Sequence, residues 1–460
     1  MPSSVEYGKM RGVEKRMNLS KTGVVLLVLL LAAMAMVPMV SAEKVLHSKD
    51  LVSLKNMMSD VPADSKIQPA ISKTITEYAL VTVDPAAFIK NADSSKIVEC
   101  TINRTVYSIE LIAIPSIIAP GAKLYIKTSN GTTVTDIPQL KQYRGRILGV
   151  TNGDAFFTVD DKVLLGRISI GNDSYFISQY GTQEDGKIVH MVYNAKNEII
   201  RKKLPSSNDI LLGTDSPGIL AVPDKTLVGS SVSPMTTSSV GLLAVYDTQF
   251  HNAYPSSTSE ITSMMSTVGN AFSPSYVGVT FQINGFCWDS TLTSTNKDTL
   301  TNQLISSDSA LRTSTSSDLV SLFTGRDLDG NDIGNAGQYS YGVYDASAYS
   351  VEQMTDSGTS YTATSYQRPI LIAHELGHNF GAMHQTDPGY SGYPYYVPSY
   401  ARAYSWSDWG TTRYTAMWSP FQVGTSMSNE FSAPDSGHGD STHNNALRIS
   451  LQKATVAAYK

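Results

Sequence analysis

Cysteine is almost absent from these 460 residues, with Cys100 and Cys287 the only two. That excludes a disulfide-rich scaffold and a cysteine-type zinc knuckle, and leaves room for one bridge at most. Charge is also scarce, at 16% of residues against 41% hydrophobic, which excludes an acidic disordered chain and a coiled coil. The formal net charge is −5, so no overall basic field points to nucleic acid as a partner. The imbalance is local. Residues 241–460 hold 9 Lys and Arg against 18 Asp and Glu, while the upstream part is slightly basic. There is no internal repeat and only one long apolar run. The length exceeds what one hydrophobic core usually supports, so two folded units plus processing segments are expected.

The apolar run is N-terminal. Lys9, Arg11, Lys15, Arg16 and Lys21 precede residues 23–40, and Val40-Ser41-Ala42 supplies a small-residue cleavage site. This pattern predicts an export signal over residues 1–42, contacting the membrane only transiently, and a secreted, extracellular mature chain. The competing reading is an uncleaved anchor, since the run is close to the minimum for spanning a bilayer. Pro38 and the Val-Ser-Ala ending favour cleavage.

Residues 43–204 are expected to form a β-rich unit. Val106-Tyr107-Ser108-Ile109-Glu110-Leu111, Lys123-Leu124-Tyr125-Ile126 and Ala155-Phe156-Phe157-Thr158-Val159 alternate in the strand manner between Gly, Asn and Asp turns. Residues 205–239, with Pro205, Pro217, Pro223 and Pro234 among Ser, Thr and Gly, have linker composition. Arg201-Lys202-Lys203 just upstream reads either as a processing site or as a solvated loop. Residues 240–460 form the second unit.

The chemistry is concentrated in Pro369-Ile370-Leu371-Ile372-Ala373-His374-Glu375-Leu376-Gly377-His378-Asn379-Phe380-Gly381-Ala382-Met383-His384. A helix beginning near Arg368 or Pro369 places His374 and His378 on one face, able to ligate one ion. Glu375 projects beside that ion, where a carboxylate can take a proton from water. Gly381 falls where a left-handed residue would end the helix and reverse the chain, bringing His384 back as a third nitrogen ligand. Three protein ligands and one open position describe a catalytic rather than a structural Zn²⁺ site. Satisfied core histidines on an ordinary helix would not place three His, a Glu and a Gly in this register.

His374 to His384 resembles the HExxHxxGxxH signature of the metzincin zinc endopeptidases, and the chain is most similar to their reprolysin/adamalysin branch. The resemblance implies an α+β metzincin-like catalytic domain: a twisted, mostly parallel mixed sheet, two long helices, an active-site helix and an irregular C-terminal subdomain. Thr415-Ala416-Met417-Trp418-Ser419 resembles the methionine turn beneath the metal, and Phe431-Ser432-Ala433-Pro434-Asp435 follows as in that branch. Met427 is the other candidate methionine. An upper-rim edge strand is implied near residues 333–337, and a terminal helix from Asn444 onward. Tyr143-Arg144-Gly145-Arg146-Ile147-Leu148-Gly149, Leu165-Gly166-Arg167-Ile168 and Ser174-Tyr175-Phe176-Ile177 resemble a reprolysin propeptide, which implies a zymogen. The implied activity is hydrolysis of peptide bonds in protein or peptide substrates, with Glu375 as base. A non-catalytic binding protein that keeps the metal scaffold is the alternative, and the intact Glu375 argues against it.

The chain also departs from the pattern. Gln385, not Asp, follows the third histidine, and Ser419 stands where some metzincins carry a tyrosine ligand. Cys100 and Cys287 leave three readings open: a disulfide, a thiolate switch from Cys100 to the metal, or two thiols. Residues 327–332 read as a polar turn, because the glycine and position twelve of a calcium loop are misplaced. His438 and His443 read as surface residues.

Overall fold

A computed structural model describes residues 44–62, 65–69, 75–198, 210–211, 236–337, 345–355, 363–387, 390–392, 395–408, 410–419 and 426–459. The export-like segment, Arg201-Lys202-Lys203 and most of the 205–239 stretch lie outside these residues. Among the described residues no helix is long and apolar enough to cross a membrane.

The N-terminal half is built on an antiparallel sheet in which Thr105–Ile114, Lys141–Ile147, Asp154–Val159, Leu164–Ile170, Asp173–Gln183 and Ile188–Asn194 pair in that order. Alternation explains how it buries one face. Along Lys141–Ile147, Tyr143, Gly145 and Ile147 are buried, while Lys141, Arg144 and Arg146 are exposed. The helix Pro85–Ser94 begins with proline, and the Asp84 Oδ1 accepts the Ala87 N–H at 2.9 Å. Phe88 and Ala92, four apart on its inner face, are buried on the sheet, with the Phe88 ring 5.0 Å from that of Phe157.

The second sheet carries the catalytic half. Its strands are β1 (Lys123–Thr128), β2 (Gly131–Asp136), β3 (Ile210–Leu211), β4 (Ser238–Tyr246), β5 (Val279–Asp289), β6 (Leu319–Thr324), β7 (Gly334–Gly337) and β8 (Tyr349–Gln353). They lie in the order β3-β7-β8-β6-β4-β5-β1-β2. β5, β4, β6 and β8 are mutually parallel, and β7 runs antiparallel to β8. β4 is buried almost throughout, as a parallel strand covered on both faces should be. Helix α1 (Ser257–Phe272) links β4 to β5, and helix α2 (Lys297–Ser314), capped by the Asn296 side chain, links β5 to β6. The active-site helix α3 (Gln367–Asn379) packs on α1, and α4 (Asn445–Val456) closes the chain.

The two halves are joined more intimately than a simple linker suggests. The hairpin β1–β2 comes from the N-terminal half, yet β1 pairs in parallel with β5, with Leu124 opposite Phe286. The other join is polar. Gln142 donates to the Ser266 hydroxyl at 2.7 Å, and the Ser259 hydroxyl donates to Asp160 at 2.6 Å. Gln179 donates to Glu260 at 2.8 Å and accepts the Ser256 N–H at 3.0 Å. Tyr193 accepts the Ser365 N–H just before α3. Residues 43–460 accordingly form one compact unit.

Cys100 and Cys287 are separate, unbridged, buried thiols. Cys100 belongs to the core of the N-terminal half and Cys287, on β5, to the catalytic core, so the sheets themselves keep them apart. Burial pushes the Cys100 thiol up to about 12, and Cys100 lies in the core of the N-terminal half, outside the histidine cluster. The disulfide and switch readings are thereby corrected.

Glu260 makes a buried ion pair with Arg368 of α3 at 2.9 Å, the two side chains being 5% and 1% exposed. The Arg368 guanidinium also lies over the Tyr254 ring at 4.5 Å. Replacing Glu260 by Ala removes this ion pair from a buried guanidinium. The Glu260→Ala chain should lose about 3–5 kcal/mol of stability in denaturant titration, and an unchanged midpoint would mean that Arg368 is reached by water.

Candidate active site

Helix α3 is buried along its whole length, with Ile370, Leu371, Ile372, Ala373 and Leu376 in the core. It ends where glycine allows it to. Gly381 adopts φ +82°, its N–H donates to the His378 carbonyl at 2.8 Å, and the Ala382 N–H reaches back to the Gly377 carbonyl at 3.0 Å. This Schellman closure turns the chain toward its own helix.

The turn delivers His384. Its Nε2 lies 3.1 Å from the Nε2 of His374, which is 3.3 Å from the Nε2 of His378. All three rings are buried. Nitrogens bound to one tetrahedral zinc at 2.0–2.1 Å stand about 3.3 Å apart, so the triad has the separation that such an ion requires. Each ring is also held from behind. The Nδ1 of His374 meets the Ala416 carbonyl at 2.7 Å, that of His378 the Ala382 carbonyl at 2.9 Å, and that of His384 the Asp387 carboxylate at 3.1 Å. With an acceptor at each Nδ1, that atom carries the hydrogen and Nε2 turns its lone pair inward, the tautomer a metal ligand needs.

Glu375 is buried beside the triad and pressed against β7. A Cβ added at Gly334 would lie 2.0 Å from the Glu375 Oε1. The carboxylate thus sits directly over the backbone of the edge strand, which lies where the sequence implied it. Below the helix, a Cβ at Gly377 would lie 2.5 Å from the Met417 Sδ. Met417 is fully buried, and its preceding residue, Ala416, holds His374. Met427 is buried as well, but its carbonyl accepts the Tyr366 hydroxyl at the start of α3.

Sequence reasoning missed three supports. Asp387 accepts both the His384 N–H at 3.0 Å and its ring. Burial raises its carboxyl, but the hydrogen bonds and charge of His384 outweigh that and hold it below the usual range. Gln385, noted only as a departure, accepts the Ser419 N–H at 3.0 Å and donates back to the Ser419 carbonyl, clipping the third-ligand loop to the methionine turn. Asn379 donates to the carbonyls of Gly337, Ser347 and Tyr349 and so fastens α3 to the sheet edge. A carboxylate three residues after the third histidine was the one available signal. His438 is half-buried rather than on the surface, stacked on Trp406 with ring centroids 3.9 Å apart.

Two outcomes follow from this geometry. Gly334→Ala should displace the Glu375 carboxylate, lowering kcat at least about tenfold while bound zinc, read by atomic absorption, stays stoichiometric. Asp387→Ala should weaken zinc about 10- to 100-fold in a chelator competition, with the folded spectrum retained.

The comparisons with known proteins agree with the chemistry. Residues 236–416 match the family model Reprolysin_5, described as metallo-peptidase family M12. No curated protein matches significantly. Among solved structures, metalloproteinase-II from Bacteroides fragilis is similar at 16% identity and a TM-score of 0.35, over 64% of this chain and 82% of that one. A chaperone–substrate complex is similar at 11% identity and a TM-score of 0.36, over 76% of this chain and 43% of that one. This chain therefore spans less than half the length of that second match, and neither likeness is close enough to define the fold. The family match encloses β4, Glu375 and all three histidines. The stretch that carries Glu375 and the three histidines is thus similar to the metallopeptidases of family M12.

Proposed function

We propose that this chain is a secreted, zinc-dependent endopeptidase made as a zymogen, with residues 43–204 as its prodomain. The observation that carries the catalytic part is the convergence of three buried Nε2 atoms, each ring fixed from behind, beside the buried Glu375. Zinc bound there would supply a Lewis acid that polarises the scissile carbonyl and makes water reactive near neutral pH. The rest is the work of the chain. His374, His378 and His384 hold the centre in place. Ala416, Ala382 and Asp387 keep the rings oriented. Glu375 takes the proton of the attacking water and returns it to the amine nitrogen as the C–N bond breaks. Met417 supports the centre from below without ligating it. A substrate in extended form pairs with the β7 main chain, which brings its peptide bond past Glu375.

Latency is supported by what already lies on that edge. Ile210 and Leu211 pair with Ala336 and Gly337, so β3 uses main-chain groups that a substrate strand would need. Secretion is supported by the charged, apolar and small-residue succession of residues 1–42. Protein or peptide substrates suit an edge that reads backbone before side chains.

The full-length protein, incubated with zinc, should shed an N-terminal fragment of about 200 residues and then cleave a quenched peptide library in a chelator-sensitive way. Glu375→Ala should lower kcat about 10²- to 10⁴-fold with unchanged zinc content. Stoichiometric zinc without cleavage, even after limited proteolysis removes the N-terminal half, would mark a non-catalytic metal-binding protein instead.

A further inference from the structure

At the C-terminal end of β5 lies a second polar centre. Lys127 on β1 extends its ammonium to within 3.3 Å of the Asp308 Oδ1 and 3.4 Å of the Asp289 Oδ2. The same ammonium donates to the carbonyl and the hydroxyl oxygen of Ser307. Two carboxylate oxygens, a carbonyl and a hydroxyl therefore converge on one positive charge. Both carboxylate side chains are fully buried.

All four oxygens belong to residues 289–308 of the catalytic half, whereas the cation is lent by the hairpin of the N-terminal half. The oxygens are fixed without Lys127. Asp289 accepts the Thr291 N–H at 2.8 Å, the Thr291 hydroxyl at 2.5 Å and the Ser307 hydroxyl at 2.6 Å. Asp308 takes the Cys287 thiol at 3.6 Å, and its fully buried Oδ2 has no hydrogen-bond partner among the described residues. Even beside the ammonium, burial pushes Asp308 up to about 6. Two buried carboxylates that lose their counter-ion must either share a proton or take another cation. Hard oxygens of this kind are the donor set of Ca²⁺, and the Lys127 side chain is 22% exposed, which gives an ion an entrance.

We propose that Asp289, Asp308 and Ser307 form a divalent-cation site, distinct from the histidine centre, that the Lys127 ammonium fills in this chain and that Ca²⁺ fills once the ammonium is withdrawn. The site itself does not depend on the catalytic reading. Only its timing rests on the zymogen reading, since release of the N-terminal half would carry Lys127 away.

The test uses the full-length, zinc-loaded chain at pH 7.5 and calcium chloride alone as the probe. Lys127→Ala should bind one more equivalent of Ca²⁺ than the wild type in isothermal titration calorimetry. Its Tm should rise with calcium by a few degrees where the wild type's does not. Adding Asp308→Asn to Lys127→Ala should remove both effects. Equal calcium uptake by wild type and Lys127→Ala, or by the single and double variants, would overturn the site. If Lys127→Ala does not fold in calcium-free buffer, its refolding yield and that of Lys127→Gln decide the matter. Recovery in calcium that the added Asp308→Asn abolishes supports the site, and no recovery in either variant overturns it. Neither readout involves peptide cleavage, so a failure of the proposed protease activity would leave it unaffected.

Discussion

The left-handed turn at Gly381 is the constraint on which the rest of the active site depends. It ends α3 at the one place from which His384 can return to within 3.1 Å of His374. The partner that holds each ring then comes from a different element. Ala382 belongs to the turn itself, Asp387 to the loop beyond it, and Ala416 to the methionine turn far along the chain. Buried imidazoles are tolerated only because both nitrogens of each have work to do. Space on either side of the helix is provided by missing Cβ atoms, at Gly377 for the Met417 sulfur and at Gly334 for the Glu375 carboxylate.

What the sequence revealed of this site was what local geometry encodes. The spacing of His374 and His378 is a property of any helix, and Gly381 states its own backbone preference, so motif and turn were legible together. The strands near residues 105–114 and 154–159 were legible from alternation. Met417 was legible only through resemblance, since a methionine alone is ordinary core filler. Gln385 and Gly334 were not legible, because each acts through an approach between segments that no local pattern records, whereas Asp387, three residues past His384, was a local signal left unread. The cysteines show the same limit from the other side. Their number and expected compartment permitted a bridge, but the topology that buries them in different cores is a tertiary fact.

The hairpin β1–β2 was the largest departure from the expected division. Its first strand was foreseen at Lys123–Ile126, but not its second, nor that the pair would serve another sheet. Residues 43–204 read as self-contained because periodicity reports which face of a strand is buried and not which partner buries it. The sheet of the catalytic half consequently has neither of its older edges exposed. β3 lies along β7, and β1 covers the end of β5. Covered edges keep a sheet from pairing with other chains. The pairing of β3 along β7 is confined to Ala336 and Gly337, and β5 meets β1 only over residues 286–289.

The hydrogen-bonded part of the join, over α1, differs from the apolar packing of Leu124 and Tyr125 on the catalytic core. On α1, Ile261, Met265, Val268 and Phe272 belong to the core, while Ser259, Glu260, Ser263, Met264, Ser266 and Thr267 line the side toward the N-terminal half. An apolar interface of this extent would gain more from burial, yet would leave the catalytic half with an exposed greasy helix once parted. A face of hydroxyls and amides binds through directed hydrogen bonds and remains wettable afterwards. Its charges follow the same logic. The catalytic half is acidic and the upstream part slightly basic, and at the two deepest contacts the N-terminal half offers Gln179 to the Glu260–Arg368 pair and Lys127 to Asp289 and Asp308. Such contacts specify one docking geometry more than they add stability, because much of their Coulombic gain offsets desolvation. A join that is specific, polar and only moderately strong is what a covering unit needs if it is to be placed accurately and later removed.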